Sequence, residues 1–307
     1  MKRGEGSATQ PHTAETLLLK NTSATNTLSR GRIAMPTPDW LEILRECSRN
    51  IRKTVLPLLK KPQIQTSYGK GAGGDTTHHI DFIAEKVLID TIKSHNIAFT
   101  LISEEAGVKK IGKNPQHTVT ADPIDGTTNA LRGIPFTATS IAVSKKPNLQ
   151  AVETALVTDL HHNITYTAQK DQGAHKNNKK IATSQTTDLA KAVIGVDFNT
   201  YKTSNHIKTI TALLQNIKHP RHHGADALEI CYVADGTTDA FIDIREKLRV
   251  TDTAAALLIV AEAGGTITTP DGKKLDAPLT PTQRLSFIAS GNKSIHKKIK
   301  TLIKEQP

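Results

Sequence analysis

Apolar positions along this chain recur at two periods. Trp40, Leu44, Cys47, Ile51, Val55 and Leu58 fall at helical spacing, and Asp39 stands where a helix cap belongs. A second helix is predicted over 81–95, with Ile80, Ile83, Ala84, Val87, Leu88 and Ile92 on its apolar face. Short apolar runs predict strands at 99–102, 118–121 and about 137–144, 150–157 and 164–168. Beyond these, strands are predicted at 192–197, 239–244 and 285–289, and helices at 204–217, 226–234, 252–263 and 293–303. Such alternation is that of an α/β chain (α+β in some schemes), with mixed sheets covered by helices.

Residues 1–34 break the pattern. They are rich in Thr, Ser and Asn, with no apolar period beyond Leu17-Leu18-Leu19, and read as a flexible tail. Met35 offers an alternative start. Residues 35–307 then form one domain, with an α+β half over about 35–185 and an α/β half over about 186–307.

Composition narrows the field. No apolar run approaches the roughly 20 residues that span a bilayer. The best stretch, 254–263, is short and contains Glu262. Cys47 and Cys231 are too few for a disulfide framework and sit in apolar patterns as buried thiols. The N-terminus has no secretory apolar core, so a cytoplasmic location is expected. The net charge of +11 invites a nucleic acid, an anionic membrane or a phosphorylated substrate. Much of that charge lies in the first 34 residues and in the last helix, and aromatics make up only 4%. A nucleic-acid partner is therefore disfavoured, although a basic nucleic-acid-binding protein stays open as a third reading.

Three motifs are decoys. Gly69-Lys70-Gly71-Ala72-Gly73-Gly74 matches G-x-G-x-x-G, but no helix opens at its end, so it reads as a mobile loop. The pairs His78-His79, His161-His162 and His222-His223 lack the i, i+4 spacing of a helical metal pair and read as solvated. Asp235-Gly236-Thr237-Thr238 echoes Asp125-Gly126-Thr127-Thr128 but follows a helix, so Gly236 reads as a C-cap.

The chemistry lies in acids at the ends of apolar strands and at a helix start: Glu104 with Glu105, Asp122 with Asp125, and Asp252. Such a group repels itself unless cations neutralise it, and hard divalent cations take carboxylate and carbonyl oxygens. In Asp122-Pro123-Ile124-Asp125 the proline sets a tight turn, so two carboxylates and the Ile124 carbonyl can face one point. Gly126, Thr127 and Thr128 can then present N–H groups to an anion at the start of a short helix. Taken singly, Asp125 and Asp252 are better read as helix caps and Glu104 as part of a solvated loop; the combination with Asp-Pro-Ile-Asp-Gly-Thr-Thr is what capping does not explain.

These motifs together resemble the inositol monophosphatase family, which includes fructose-1,6-bisphosphatases. The resemblance covers essentially all of 36–307. Asp75-x5-Asp81, Ile102-Ser103-Glu104-Glu105, Asp122-Pro123-Ile124-Asp125-Gly126-Thr127-Thr128-Asn129 and Asp252-x-Ala-Ala-Ala-x5-Glu262-Ala263-Gly264-Gly265 follow in the family's order. Thr251 stands where many members carry Trp. The segment 243–250 and the Gly-rich loop are similar to archaeal members active on both fructose 1,6-bisphosphate and inositol phosphate.

The resemblance implies a layered αβαβα fold and up to three Mg2+ ions. It implies metal binding by Glu104, Asp122, the Ile124 carbonyl, Asp125 and Asp252. It implies that Asp81 and Thr127 orient a nucleophilic water, with Glu104 assisting. Substrate contacts are expected from Asp125, Gly126, Thr127, Thr128, Arg221, Ala225 and Arg245. Arg245 is placed at the end of the strand 239–244, at the cleft mouth, where a guanidinium would attract a second phosphate. Asp226 departs from the small residues usual in the family, which weighs against tight binding of that phosphate. The expected activity is hydrolysis of a small phosphorylated substrate, inositol 1-phosphate or fructose 1,6-bisphosphate, by a homodimer. A nucleotide 3′-phosphate or NADP is the alternative substrate.

Overall fold

Helix α1 (Trp40–Val55) starts where the Asp39 carboxylate accepts the Glu42 N–H at 3.2 Å. The computed structural model describes residues 38–59, 67–74, 76–201 and 206–304; the predicted tail 1–34 and Asp75 lie outside the described residues. After α1 come a hairpin, β1 (Ser67–Lys70) and β2 (Thr76–His78), and helix α2 (His79–Ser94).

A first sheet is built from β3 (Phe99–Ser103), β4 (Gly107–Ile111), β5 (His117–Asp125), β6 (Ala138–Ser144), β7 (Val152–Asp159), β8 (Ile164–Gln169), β9 (Ala174–Lys176) and β10 (Lys179–Lys180). Helix α3 (Thr127–Arg132) links β5 to β6. The strand order is β10-β9-β8-β7-β6-β5-β3-β4, antiparallel except where β3 runs parallel to β5.

The second sheet uses β11 (Val193–Val196), β12 (His219–Arg221), β13 (Ala240–Arg249), β14 (Thr266–Thr268) and β15 (Arg284–Ser290), in the order β12-β11-β13-β15-β14. Its helices are α4 (Ile207–Asn216), α5 (Asp226–Ala234), α6 (Val250–Glu262) and α7 (Lys293–Lys304).

Three buried clusters make the layers. Leu44, Ile51, Leu88 and Ile92 from α1 and α2 close over Leu101, Val119 and Ile141 of the first sheet. Leu228, Ile230, Ala255 and Ile259 from α5 and α6 lie between the sheets, against Val157, Tyr166, Phe241 and Phe287. Ile210, Leu213, Ile295 and Ile299 from α4 and α7 cover the far face of the second sheet. The result is the expected α–β–α–β–α layering.

The predicted elements differ from the observed ones in two informative places. The strand predicted to stop at Ile244 continues to Arg249, across an irregularity between Asp243 and Leu248 where Glu246 takes φ 55°. The Gly-rich loop is docked rather than free over Ala72-Gly73: their N–H groups donate to the Glu105 and Glu104 carbonyls at 3.3 and 2.7 Å. Gly236 takes φ 73° just after α5, as a C-cap glycine should.

Candidate active site

The Asp122–Asp125 stretch owes its shape to Pro123. Pairing of β5 with β6 is broken between Asp122 and Asp125, and the Ile124 N–H donates to Asp122 Oδ1 at 3.0 Å. This turns both carboxylates to one side. Gly126 follows at φ 86°, where a Cβ would come within 3.0 Å of Ala225 Cβ and 3.1 Å of two carbonyl oxygens. Only glycine fits both the angle and the space. Asp125 Oδ2 accepts the Ala227 N–H at 2.7 Å, tying the start of α5 to the end of β5.

Glu104 follows directly on β3, which runs parallel beside β5, so the two strand ends come to the same edge. Its position is fixed by Gly73, whose absent side chain leaves room for Glu104 Cγ: a Cβ there would lie 2.9 Å from it. Asp252 lies in the first turn of α6. Carboxylate oxygens of Glu104, Asp122 and Asp252 all lie within 4.8 Å of one another. Thr127 Oγ1 stands 3.1 Å from Asp81 Oδ1 and 3.0 Å from the Ile124 carbonyl oxygen. Asp81 Oδ2 accepts the His78 N–H at 2.9 Å.

Together these residues line a cavity of about 750 Å³, which also includes Gly126, Thr128, Glu105 and Asp226. A larger cavity of about 960 Å³, beside Ile207, Asp271 and Arg284, contains none of the acidic cluster.

Burial and mutual repulsion raise the acids' proton affinity. Burial lifts the Asp81 carboxyl to about 6. Burial, reinforced by Asp252, lifts Asp125 to about 7. Asp122 is pushed well above the ordinary range by burial and then by Asp252, Glu104 and Asp125. An all-oxygen set of this charge fits a hard divalent cation and suits no soft metal.

The residues expected around the substrate divide. Asp125, Gly126, Thr127 and Thr128 line the cavity, whereas Arg221, Ala225 and Arg245 do not. Arg221 is exposed, with Nη1 on its neighbour's carbonyl, Pro220 O, at 2.9 Å. Ala225 is fully buried beneath Gly126.

Arg245 needs the clearest correction. It sits within β13 rather than at its end, and only 3% of its side chain is exposed. Its guanidinium binds the carboxylates of Asp243 and Asp197, with Nη1 on the Asn199 carbonyl at 3.1 Å. The true end of β13 is Arg249, three residues before Asp252. Arg249 Nη1 lies 2.5 Å from Glu104 Oε1, and its Nε 3.2 Å from Asp252 Oδ2. A cation is therefore built into the acidic cluster.

Sequence reasoning also missed Asp197, which lines the cavity together with His222 and His223, whose side chains are 28% and 33% exposed. The two histidines diverge: His222 tilts against Phe198 at 4.8 Å between ring centres, and His223 stacks on Phe136 at the same separation. An acid at the end of an apolar strand was the signal used for Glu104 and Asp122, and it applies equally to Asp197 after β11. For Arg249 the signal was i, i+3 spacing to Asp252 across the helix start.

The model of the inositol monophosphatase family matches residues 40–307. The fructose-1,6-bisphosphatase/inositol-1-monophosphatase of Methanothermobacter thermautotrophicus is 35% identical over 269 residues, covering 85% of this chain and 95% of that protein. A bifunctional NADP phosphatase/NAD kinase of Methanococcus maripaludis is 36% identical over 280 residues, covering 85% of this chain but 48% of that protein. Among solved structures, an inositol monophosphatase–fructose 1,6-bisphosphatase superimposes with a TM-score of 0.74 at 32% identity, covering 86% of this chain and 100% of that one. The chain belongs to the inositol monophosphatase family.

Proposed function

We propose that this protein is a magnesium-dependent phosphatase that hydrolyses a sugar phosphate monoester in the Asp122–Asp125 cleft. The observation that carries the reading is the convergence of Glu104, Asp122 and Asp252 within 4.8 Å, beside Asp125 and the Thr127–Asp81 pair. Glu104, Asp122, Asp125, Asp252 and the Ile124 carbonyl are the groups that would hold the metal. Bound there, magnesium supplies charge neutralisation for the phosphoryl group and makes a nearby water more acidic.

The chain's own groups do the rest. Thr127 Oγ1 lies between two acceptors, the Asp81 carboxylate and the Ile124 carbonyl. Its hydrogen goes to one of them, which leaves its lone pairs to orient a water. Asp81, lifted to about 6, is matched to taking up a proton near neutral pH through this contact. Gly126 and Thr128 form the wall beside the phosphoryl group. Phosphoryl transfer asks for such positioning and charge balance, and no covalent nucleophile is needed.

Two further points belong to this reading. Among the described residues no helix is long and apolar enough to cross a membrane, and we assign the protein to the cytoplasm. We also assign it a homodimeric state. A nucleotide substrate is the second reading, favoured by the relative named as an NADP phosphatase. Nucleic acid is disfavoured as a partner, because the cleft wall is predominantly acidic. The test is phosphate release from inositol 1-phosphate, fructose 1,6-bisphosphate and NADP, with magnesium and with a chelator. Release from one of the sugar phosphates that needs magnesium is expected. Release only from NADP would move the assignment to the nucleotide branch.

A further inference from the structure

Glu104 sits in a three-residue turn, Glu104-Glu105-Ala106, between β3 and β4, which close on it at the Ser103–Gly107 pair. One side of this turn is held through its carbonyls, which accept the Ala72 and Gly73 N–H groups. The other side is held by Glu85 of α2. Its Oε2 accepts the Ala106 N–H at 3.2 Å and the Ser103 hydroxyl, and Ser103 Oγ accepts the same N–H at 3.2 Å. Both ends of the turn thus meet at one carboxylate oxygen.

Glu85 is costly where it stands. It is 6% exposed, and among the described residues its polar partners are those two donors, with no ion pair. A buried carboxylate without a cation is unfavourable unless its acceptor oxygens are used. Glu85 does not line the cleft, so its link to the site runs through the turn. Asp81, one turn earlier on the same buried face of α2, lies against Thr127. Helix α2 therefore fixes both the Thr127 hydroxyl and the turn that carries Glu104.

We propose that Glu85 is a positioning residue that sets the magnesium affinity of the site by holding the 103–106 turn, and with it Glu104, in the ligating arrangement. This rests on the metal reading above and adds to it a residue outside the cleft. Without Glu85, the Ser103 hydroxyl and the Ala106 N–H lose their shared acceptor, and the turn keeps only its contacts to Ala72 and Gly73. Loss of such an outer partner of a ligand typically costs about 10–100-fold in metal affinity. An acceptor oxygen, rather than a charge, is what the two donors require.

The experiment is calorimetric titration of magnesium into the full chain and its variants, well below the unfolding midpoint of each. Glu85→Ala should raise the Kd about tenfold or more, and Ser103→Ala should raise it in the same direction. Glu85→Gln keeps an oxygen for both donors and should stay within about threefold of wild type. Leu88→Ala is the control for lost stability alone. Leu88 is buried in the apolar cluster of the same helix, so its variant should unfold at lower temperature with the Kd unchanged. If Glu85→Ala fails to fold, Ser103→Ala decides. An unchanged Kd in the folded variant, an equal rise in Leu88→Ala, or a rise in Glu85→Gln as large as in Glu85→Ala overturns the positioning role. No magnesium binding by wild type overturns the metal reading itself.

Discussion

Arg245→Ala separates the buried-clamp description of this residue from a role in substrate binding. The guanidinium is 3% exposed, and Asp243 is fully buried beside it. Removing one partner of a buried ion pair leaves an uncompensated charge and costs about 3–5 kcal/mol. Two carboxylates lose their cation here, so the upper part of that range is expected. At about 2–4 °C per kcal/mol for a domain of this size, the thermal midpoint should fall by roughly 10–20 °C. The loss should depend on pH. Burial already raises the Asp243 carboxyl, and Arg245 holds it down. Without Arg245 it rises further, so the folded variant takes up a proton at higher pH than the unfolded chain does. The deficit against wild type is therefore largest above that pKa and shrinks as pH falls through it. Asp243→Asn in the same chain should recover part of the loss. The assay is thermal unfolding of wild type, single and double variants between pH 5 and pH 8, as chosen conditions. An unchanged midpoint, with activity lost on a bisphosphate alone, would refute the clamp and return Arg245 to the substrate.

Two further outcomes follow from the site and a third from the N-terminal sequence. Asp125→Asn should lower turnover by about 100-fold or more, while the metal-free midpoint stays level or rises, because Asn keeps an acceptor for the Ala227 N–H and relieves repulsion. In chelator, the folded pKa values of about 6 for Asp81 and about 7 for Asp125 exceed unfolded values near ~3.9, so these groups add stability as pH falls from 7 towards 4. Magnesium should consequently raise the midpoint more at pH 8 than at pH 5, and a stabilisation independent of pH would contradict the shared site. Deleting residues 1–34 should leave activity and midpoint nearly unchanged, judged from the absence of an apolar period there; a large drop in midpoint would show that the segment packs on the core.

The layers were legible because α1, α2, α6 and the long strands carry unbroken apolar periods. The short strands that escaped, β1, β2, β9, β10, β12 and β14, are two to four residues long, too short to show alternation. β4 escaped for another reason. Its middle residues Val108, Lys109 and Lys110 are all exposed, as suits an edge strand, so no face alternates. The metal-binding candidates were legible because acids on apolar strand ends are costly anywhere but at a site. Arg249 and Arg245 were exchanged because the irregularity in β13 is invisible in the sequence. It extends the strand past Arg245, buries that side chain, and delivers Arg249 to the cleft. Asp226 was visible only as an oddity.

The central claim is that the acidic cluster holds the metal on which turnover depends. Calorimetric titration of magnesium into wild type and Asp122→Asn, with phosphate release from inositol 1-phosphate followed over the same concentrations, tests it directly. Binding in wild type should saturate and track turnover, and both should be lost in the variant. Binding that survives unchanged in Asp122→Asn, or wild-type turnover that persists in chelator, would contradict it.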